Sequence, residues 1–96
     1  MTVTYQPDPV DTTRVALPDE ILALTEPLAQ NVHAVWARQR QRDGWVWGPA
    51  RDDAAKRHPS LVEYDALSEG EKEYDRQVAL ETLRTVLALG FRIVKP

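Results

Sequence analysis

The 96 residues are enough for one small domain with a modest core, and a domain of this size buries only roughly 60–70% of its unfolded surface. The formal charge of −3 argues against bulk nucleic-acid or anionic-membrane binding, which needs a basic excess, and the lack of cysteine excludes disulfides and Cys-based zinc sites. No apolar run approaches the roughly 20 residues of a spanning helix, and MTVTYQPDPVDTT has neither the basic nor the apolar region of a secretory signal, so the expectation is a soluble, cytoplasmic protein.

In chain order, residues 1–12 are polar, carry Pro7 and Pro9, and read as a flexible lead-in to a single domain over 13–96. Thr12 to Leu17 has β-branched character and reads as a short strand. Asp19 to Arg42 is helical in pattern, with Ile21, Leu24, Leu28, Val32, Val35 and Trp36 at steps of three and four. Pro27 is tolerated only in a first turn, which predicts a short helix near 19–25 and a long one from about 26 to 42, with Thr25 as its cap, or one kinked helix; Gly44 ends it.

Residues 43–67 form a long irregular segment, and loops beyond about 12–15 residues in compact domains are often functional. Trp45, Trp47, Leu61, Tyr64 and Leu67 give it anchors, so it reads as an ordered loop. Ser68 and Glu71 fit a capping box, predicting a helix over about 69–89, with a break near Tyr74 and a buried stripe of Ala79, Leu80, Leu83, Val86 and Leu87. Gly90 is its stop signal, and Phe91 to Val94 is β-prone and suited to pair with Thr12 to Leu17. The fold class that emerges is mainly α: an antiparallel helix pair, a long ordered loop and short terminal β-strands.

The order of short motifs resembles a known family. Asn31, His33 and Trp36, then GWVWG at 44–48, Arg51-Asp52-Asp53, HPSLV at 58–62, EKEYDR at 71–76, ETL at 81–83 and LALG at 87–90 are similar to the ryanodine receptor (RyR) repeat domain, over about residues 17–94. The resemblance implies a small helical domain with short β pieces. In the animal calcium-release channels such repeats occur in tandem pairs outside the pore, and isolated repeats in bacterial and phage proteins, some fused to potassium-uptake regulatory modules, imply a sensor of a nucleotide-like ligand. This sequence carries one repeat, so a site built between two would require a homodimer. Neither a channel nor calcium release is carried over.

Site candidates cluster in and around the long loop. Trp45 and Trp47 suit stacking on a base, with packing into the helix pair as the alternative, weighted toward packing for Trp47 and balanced for Trp45. Residues 38–58 hold six Lys/Arg against three acids, a local +3, while residues 63–75 hold six acids against Lys72, a local −5. Arg51, Lys56 and Arg57 therefore suit the phosphates of an anionic ligand, with Tyr64 beside the ring, and His58 before Pro59 is suited either to contact the ligand or to tie down the loop. The alternative is intramolecular pairing that holds the loop, Arg51 with Asp52, Asp53 or the acidic segment. His33 reads as a hydrogen-bonded structural residue and Trp36 as core; Tyr74-Asp75-Arg76 reads as a helix start in which Arg76 pairs with a loop carboxylate.

No metal-ligand spacing and no nucleophile, Walker or zinc-protease motif is present, and Asp52-Asp53 lies in basic surroundings that keep both ionised. The reading is a non-catalytic module with no cofactor. It binds a small anionic ligand, most plausibly an adenine nucleotide or nucleotide-derived second messenger, as sensor or sponge. The rival is a protein–protein interaction domain with no small ligand.

Overall fold

The computed structural model describes residues 4–96; residues 1–3 of the sequence-assigned lead-in lie outside them. The elements are helix α1 (Asp19–Leu22), helix α2 (Thr25–Arg42), strands β1 (Val46–Trp47) and β2 (Arg57–His58), a 3₁₀ turn at Tyr64–Ala66, and helix α3 (Glu69–Ala88). Helices α2 and α3 form the frame, packed directly on one another. Glu26 in the first turn of α2 meets Arg76, whereas Trp36 further along α2 faces Glu71, earlier on α3, so the pair runs antiparallel.

Helix ends follow from local chemistry. Pro27 is the third residue of α2, where a missing N–H breaks no intrahelical bond. Thr25 does not cap: Leu24 holds the N-cap position, and the Thr25 hydroxyl donates to the Leu22 carbonyl at 2.6 Å, joining α2 to α1. At the other end Gly44 adopts φ +90°, its N–H reaches the Gln41 carbonyl, and the Trp45 N–H reaches the Arg40 carbonyl. These are the two bonds of a Schellman motif. The same pair recurs after α3, from Gly90 (φ +99°) to Leu87 and from Phe91 to Val86. At the start of α3 the Ser68 hydroxyl accepts from the Glu71 N–H at 3.2 Å while the Glu71 carboxylate accepts from the Ser68 N–H at 3.4 Å, closing the capping box.

Two sequence expectations are corrected. Helix α3 runs unbroken through Tyr74, because its i→i−4 ladder begins at Ser68 and nothing in the turn around Tyr74 interrupts it; Tyr74-Asp75-Arg76 is helix interior. Thr12 to Leu17 and Phe91 to Val94 form no strands. Asp11 accepts from the Thr13 N–H and hydroxyl, and the Val15 N–H bonds back to the Thr12 carbonyl, so the chain turns where a strand would have to extend. Phe91 and Val94 stay exposed, and the tail faces α1 across an open cleft, with Lys95 3.9 Å from Glu20.

The only sheet among the described residues lies inside the long loop. Strands β1 and β2 pair in parallel, Val46 with Arg57 and Trp47 with His58, carried by Val46 N–H to Lys56 carbonyl (2.9 Å) and Gly48 N–H to His58 carbonyl (3.4 Å). Ordering of this loop is as the sequence predicts: Trp45, Tyr64 and Leu67 are buried, with Tyr64 and Leu67 packed in a core with Ala29 and Val62. On α3, Ala79 and Leu80 are buried while Val86 of the expected stripe is exposed. No helix among the described residues is long and apolar enough to cross a membrane.

Candidate functional site

The site grows from three segments that share one end of the helix pair. On α2, His33 and Trp36 stand three residues apart and therefore on one face. On α3, Glu71, Tyr74 and Asp75 occupy i, i+3 and i+4. Between them the loop supplies Ser60 and Leu67. The seven side chains line an open cavity of about 200 Å³.

Its wall is aromatic and fixed. His33 is buried, and its Nε2 donates to the Val62 carbonyl at 2.7 Å, which places the proton on that nitrogen. The ring stacks on Trp36, centroids 5.7 Å apart and planes 26° apart. Behind Trp36 lies His58, edge to face at 5.0 Å. His58 Nδ1 accepts the Ser60 N–H at 3.0 Å, so that nitrogen carries no proton. Partial burial, followed by the charges of Arg51 and Arg40, lowers the His58 pKa below the ordinary 6.5 and favours this neutral form.

The opposite rim is acidic, and its two carboxylates differ. Glu71 is engaged: Oε1 accepts from the Ser60 hydroxyl at 2.9 Å and Oε2 from the Ser68 N–H. Asp75, half-buried, accepts no hydrogen bond from any described residue. Burial pushes its carboxyl above the ordinary range, with His33 opposing and Glu71 adding to the rise. Glu26, Tyr64 and Arg76 lock the helix pair nearby. Tyr64 donates to Glu26 Oε2 at 2.9 Å, and Arg76 bonds Glu26, Glu69 and Glu73. Its carboxylate partners are thus on helices, and the expected pairing of Arg76 with a loop carboxylate is not the one that forms.

The residues singled out in the loop scatter. Trp45 is buried, 9% exposed, with the Arg40 guanidinium 4.7 Å from its ring centroid and His58 at 6.3 Å. Its backbone is held by the Schellman bond to Arg40, so the indole is a packing element beneath a cation. Trp47 is 54% exposed, reversing the expectation that it packs and Trp45 is the freer of the two. The Schellman turn commits Trp45 inward, whereas Trp47 lies on β1, whose two residues are both exposed.

Arg51 Nε meets Asp53 Oδ1 at 2.8 Å, the loop-holding pair weighed from sequence, and this contact holds Asp53 below the ordinary carboxylate range. Lys56, in the left-handed region at φ 55°, donates its Nζ to the Asp43 carbonyl at 2.7 Å. Arg57 exchanges both backbone bonds with Asp52 and lays its side chain over Gly48, on a shallow open surface shared with Arg51 and Asp53. Tyr64 is turned into the core. Of the eight, His58 borders the aromatic wall from behind Trp36, and Tyr64 lies tilted against His33 with ring centroids 6.4 Å apart.

In the sequence, His33 reads as structural, Trp36 as core, Leu67 as a loop anchor, Glu71 as a cap and Tyr74-Asp75 as a helix start, while nothing singles out Ser60. Their shared signal was spacing alone: i, i+3 on one helix and i, i+3, i+4 on the other. No group of three or more His, Asp or Glu side chains suited to a metal occurs among the described residues.

A small helical domain framed by two antiparallel helices, with an aromatic and acidic cavity at one end, is the class these features define. A family model described as the RyR domain matches residues 5–95, and the chain belongs to that family.

Proposed function

We propose that this RyR domain is a non-catalytic ligand-binding module, a sensor or sequestering protein for an adenine nucleotide or a nucleotide-derived second messenger. Its ring site is the cavity against Trp36. The observation that carries this reading is the pairing, in one open cavity of about 200 Å³, of a fixed indole with a carboxylate that has no hydrogen-bond partner among the described residues. Stacking of a base on an aromatic side chain is worth roughly 1–3 kcal/mol. Arg40, with its guanidinium 5.8 Å from the Trp36 centroid, offers a phosphate a cation beside the ring.

The reading moves the stacking surface from Trp45 to Trp36. It also gives the open side of the cavity a use: a second copy of the domain would close it, so a ligand-dependent homodimer follows. The non-catalytic part rests on Ser60, whose hydroxyl is committed to Glu71, itself committed to the helix cap. The proposal sets the domain in the cytoplasm, where such nucleotides reside.

Calorimetric titration tests this with ATP, ADP, AMP, ADP-ribose, its cyclic isomers, and cyclic mono-, di- and oligonucleotides, on the unmodified chain and Trp36→Ala. Saturable micromolar binding, lost in a folded Trp36→Ala, is the expected result. Silence across the panel with a folded protein overturns it.

A second reading, a protein–protein interaction domain, is favoured by Val46 and Trp47. They are 56% and 54% exposed and adjacent on β1, beside an Arg51 whose charge is already met by Asp53. A silent ligand panel would promote it.

A further inference from the structure

We infer that Asp75 decides which ring the cavity admits: its carboxylate selects a ring that presents an N–H donor, such as an amino-substituted purine, and turns away one that presents a carbonyl oxygen. The inference rests on the ligand-binding reading above and deepens it.

Most polar groups of the cavity are already engaged. Ser60 has spent its hydroxyl proton on Glu71 Oε1. Glu71 has spent Oε1 on Ser60 and Oε2 on the Ser68 N–H, and helix α3 depends on the second bond for its cap. His33 has spent its Nε2 proton on the Val62 carbonyl. Of the two lining carboxylates only Asp75 remains, four residues along α3 from Glu71 and on the same face, with both oxygens unengaged by any described residue, beside the likewise unengaged Trp36 N–H and the hydroxyl of the exposed Tyr74.

An ionised carboxylate only accepts hydrogen bonds. A ring amino group beside it gains a charge-assisted bond, whereas a ring carbonyl places an oxygen dipole against an anion. A half-buried carboxylate cannot turn to bulk water without leaving the ring edge, so the mismatch is felt. Fully built sites of this kind reject the analogue lacking the donor by 10⁴–10⁵. Asp75 is partly open to solvent, and the discrimination expected here is smaller, on the order of tenfold to a hundredfold.

The test compares AMP with its 6-desamino analogue, purine riboside 5′-monophosphate, which shares ribose and phosphate and lacks the ring amino group; IMP does not serve, because its protonated N1 is itself an N–H donor. Binding is measured by calorimetry on the unmodified chain, Asp75→Asn and Trp36→Ala, with circular dichroism confirming that each variant is folded. The expected result is tighter binding of AMP by about tenfold or more, reduced to within about twofold in Asp75→Asn, whose amide offers both donor and acceptor; Trp36→Ala loses both ligands. Equal affinity in the unmodified chain, or a preference that survives Asp75→Asn, overturns the inference and leaves the ligand-binding reading standing. Binding of neither nucleotide overturns the inference too, and silence across the wider nucleotide panel removes the ligand-binding reading with it.

Discussion

The Trp36 indole and the His58 imidazole meet at 75°, ring centroids 5.0 Å apart, and this contact ties the loop strand β2 to the face of α2 that lines the cavity. It is the hinge between the basic loop, where sequence placed a binding site, and the aromatic cavity, where the structure places a concave surface.

The three tryptophans should separate cleanly on substitution. Trp45→Ala removes a buried indole and is expected to cost about 3 kcal/mol, read as a lower urea midpoint. Trp47→Ala, at an exposed position, should stay within about 0.5 kcal/mol of the unmodified chain. Trp36→Ala should be the variant whose nucleotide binding is lost.

The clasp between α2 and α3 predicts a second result. Tyr64→Phe keeps the packed ring but deletes the hydroxyl bonded to Glu26, a loss expected near 1–2 kcal/mol in chemical denaturation. Glu26→Gln should lower stability as well, because Arg76 then loses one of its three carboxylate partners.

Stability should fall in two pH windows. His58 has a folded-state pKa below 6.5, so the unfolded chain takes up its proton first as pH drops. The stability due to neutral His58 is complete above pH 6.5 and is lost as pH falls from there through the lowered folded value. Glu26 has its pKa lowered below 4.5 by hydrogen bonds from Arg76, then Tyr64, so its contribution is complete above pH 4.5 and lost below it. Thermal denaturation between about pH 2 and pH 8 checks both, and His58→Gln should flatten the upper window alone.

Gly48→Ala should destabilise although its backbone is unstrained. A Cβ there would sit 2.7 Å from the Arg57 Cβ, an atom with no freedom to swing aside, so β1 and β2 would have to part. A cost of roughly 1–3 kcal/mol is expected, with a faster loss of loop protection in hydrogen exchange.

What sequence made legible was whatever is encoded within a few residues. Ser68 and Glu71 announce their capping box, Gly44 and Gly90 announce their helix stops, and Pro27 announces a helix beginning just before it. The exchange of roles between Trp45 and Trp47 was not legible, because a loop has no period from which to read a face. The Schellman turn holds Trp45 inward, and Trp47 falls on a strand exposed at both of its residues. The β-prone ends misled for a related reason: propensity in Thr12 to Leu17 and Phe91 to Val94 needs a partner strand, and the turn at Thr13 removes it. The cavity stayed hidden because His33, Trp36 and Asp75 each have a satisfactory local explanation, and only helix packing brings them together.

The bond from Arg76 to Glu26 spans 50 positions of chain. Helices α2 and α3 can each begin to form from contacts three and four residues apart, but the cavity exists only after that long span has closed, and closure entropy must be met before the packing rewards it. Competence to hold a ring is therefore a late event in folding. In a refolding experiment the helical dichroism should recover first, and the Trp36 environment should recover with the final phase.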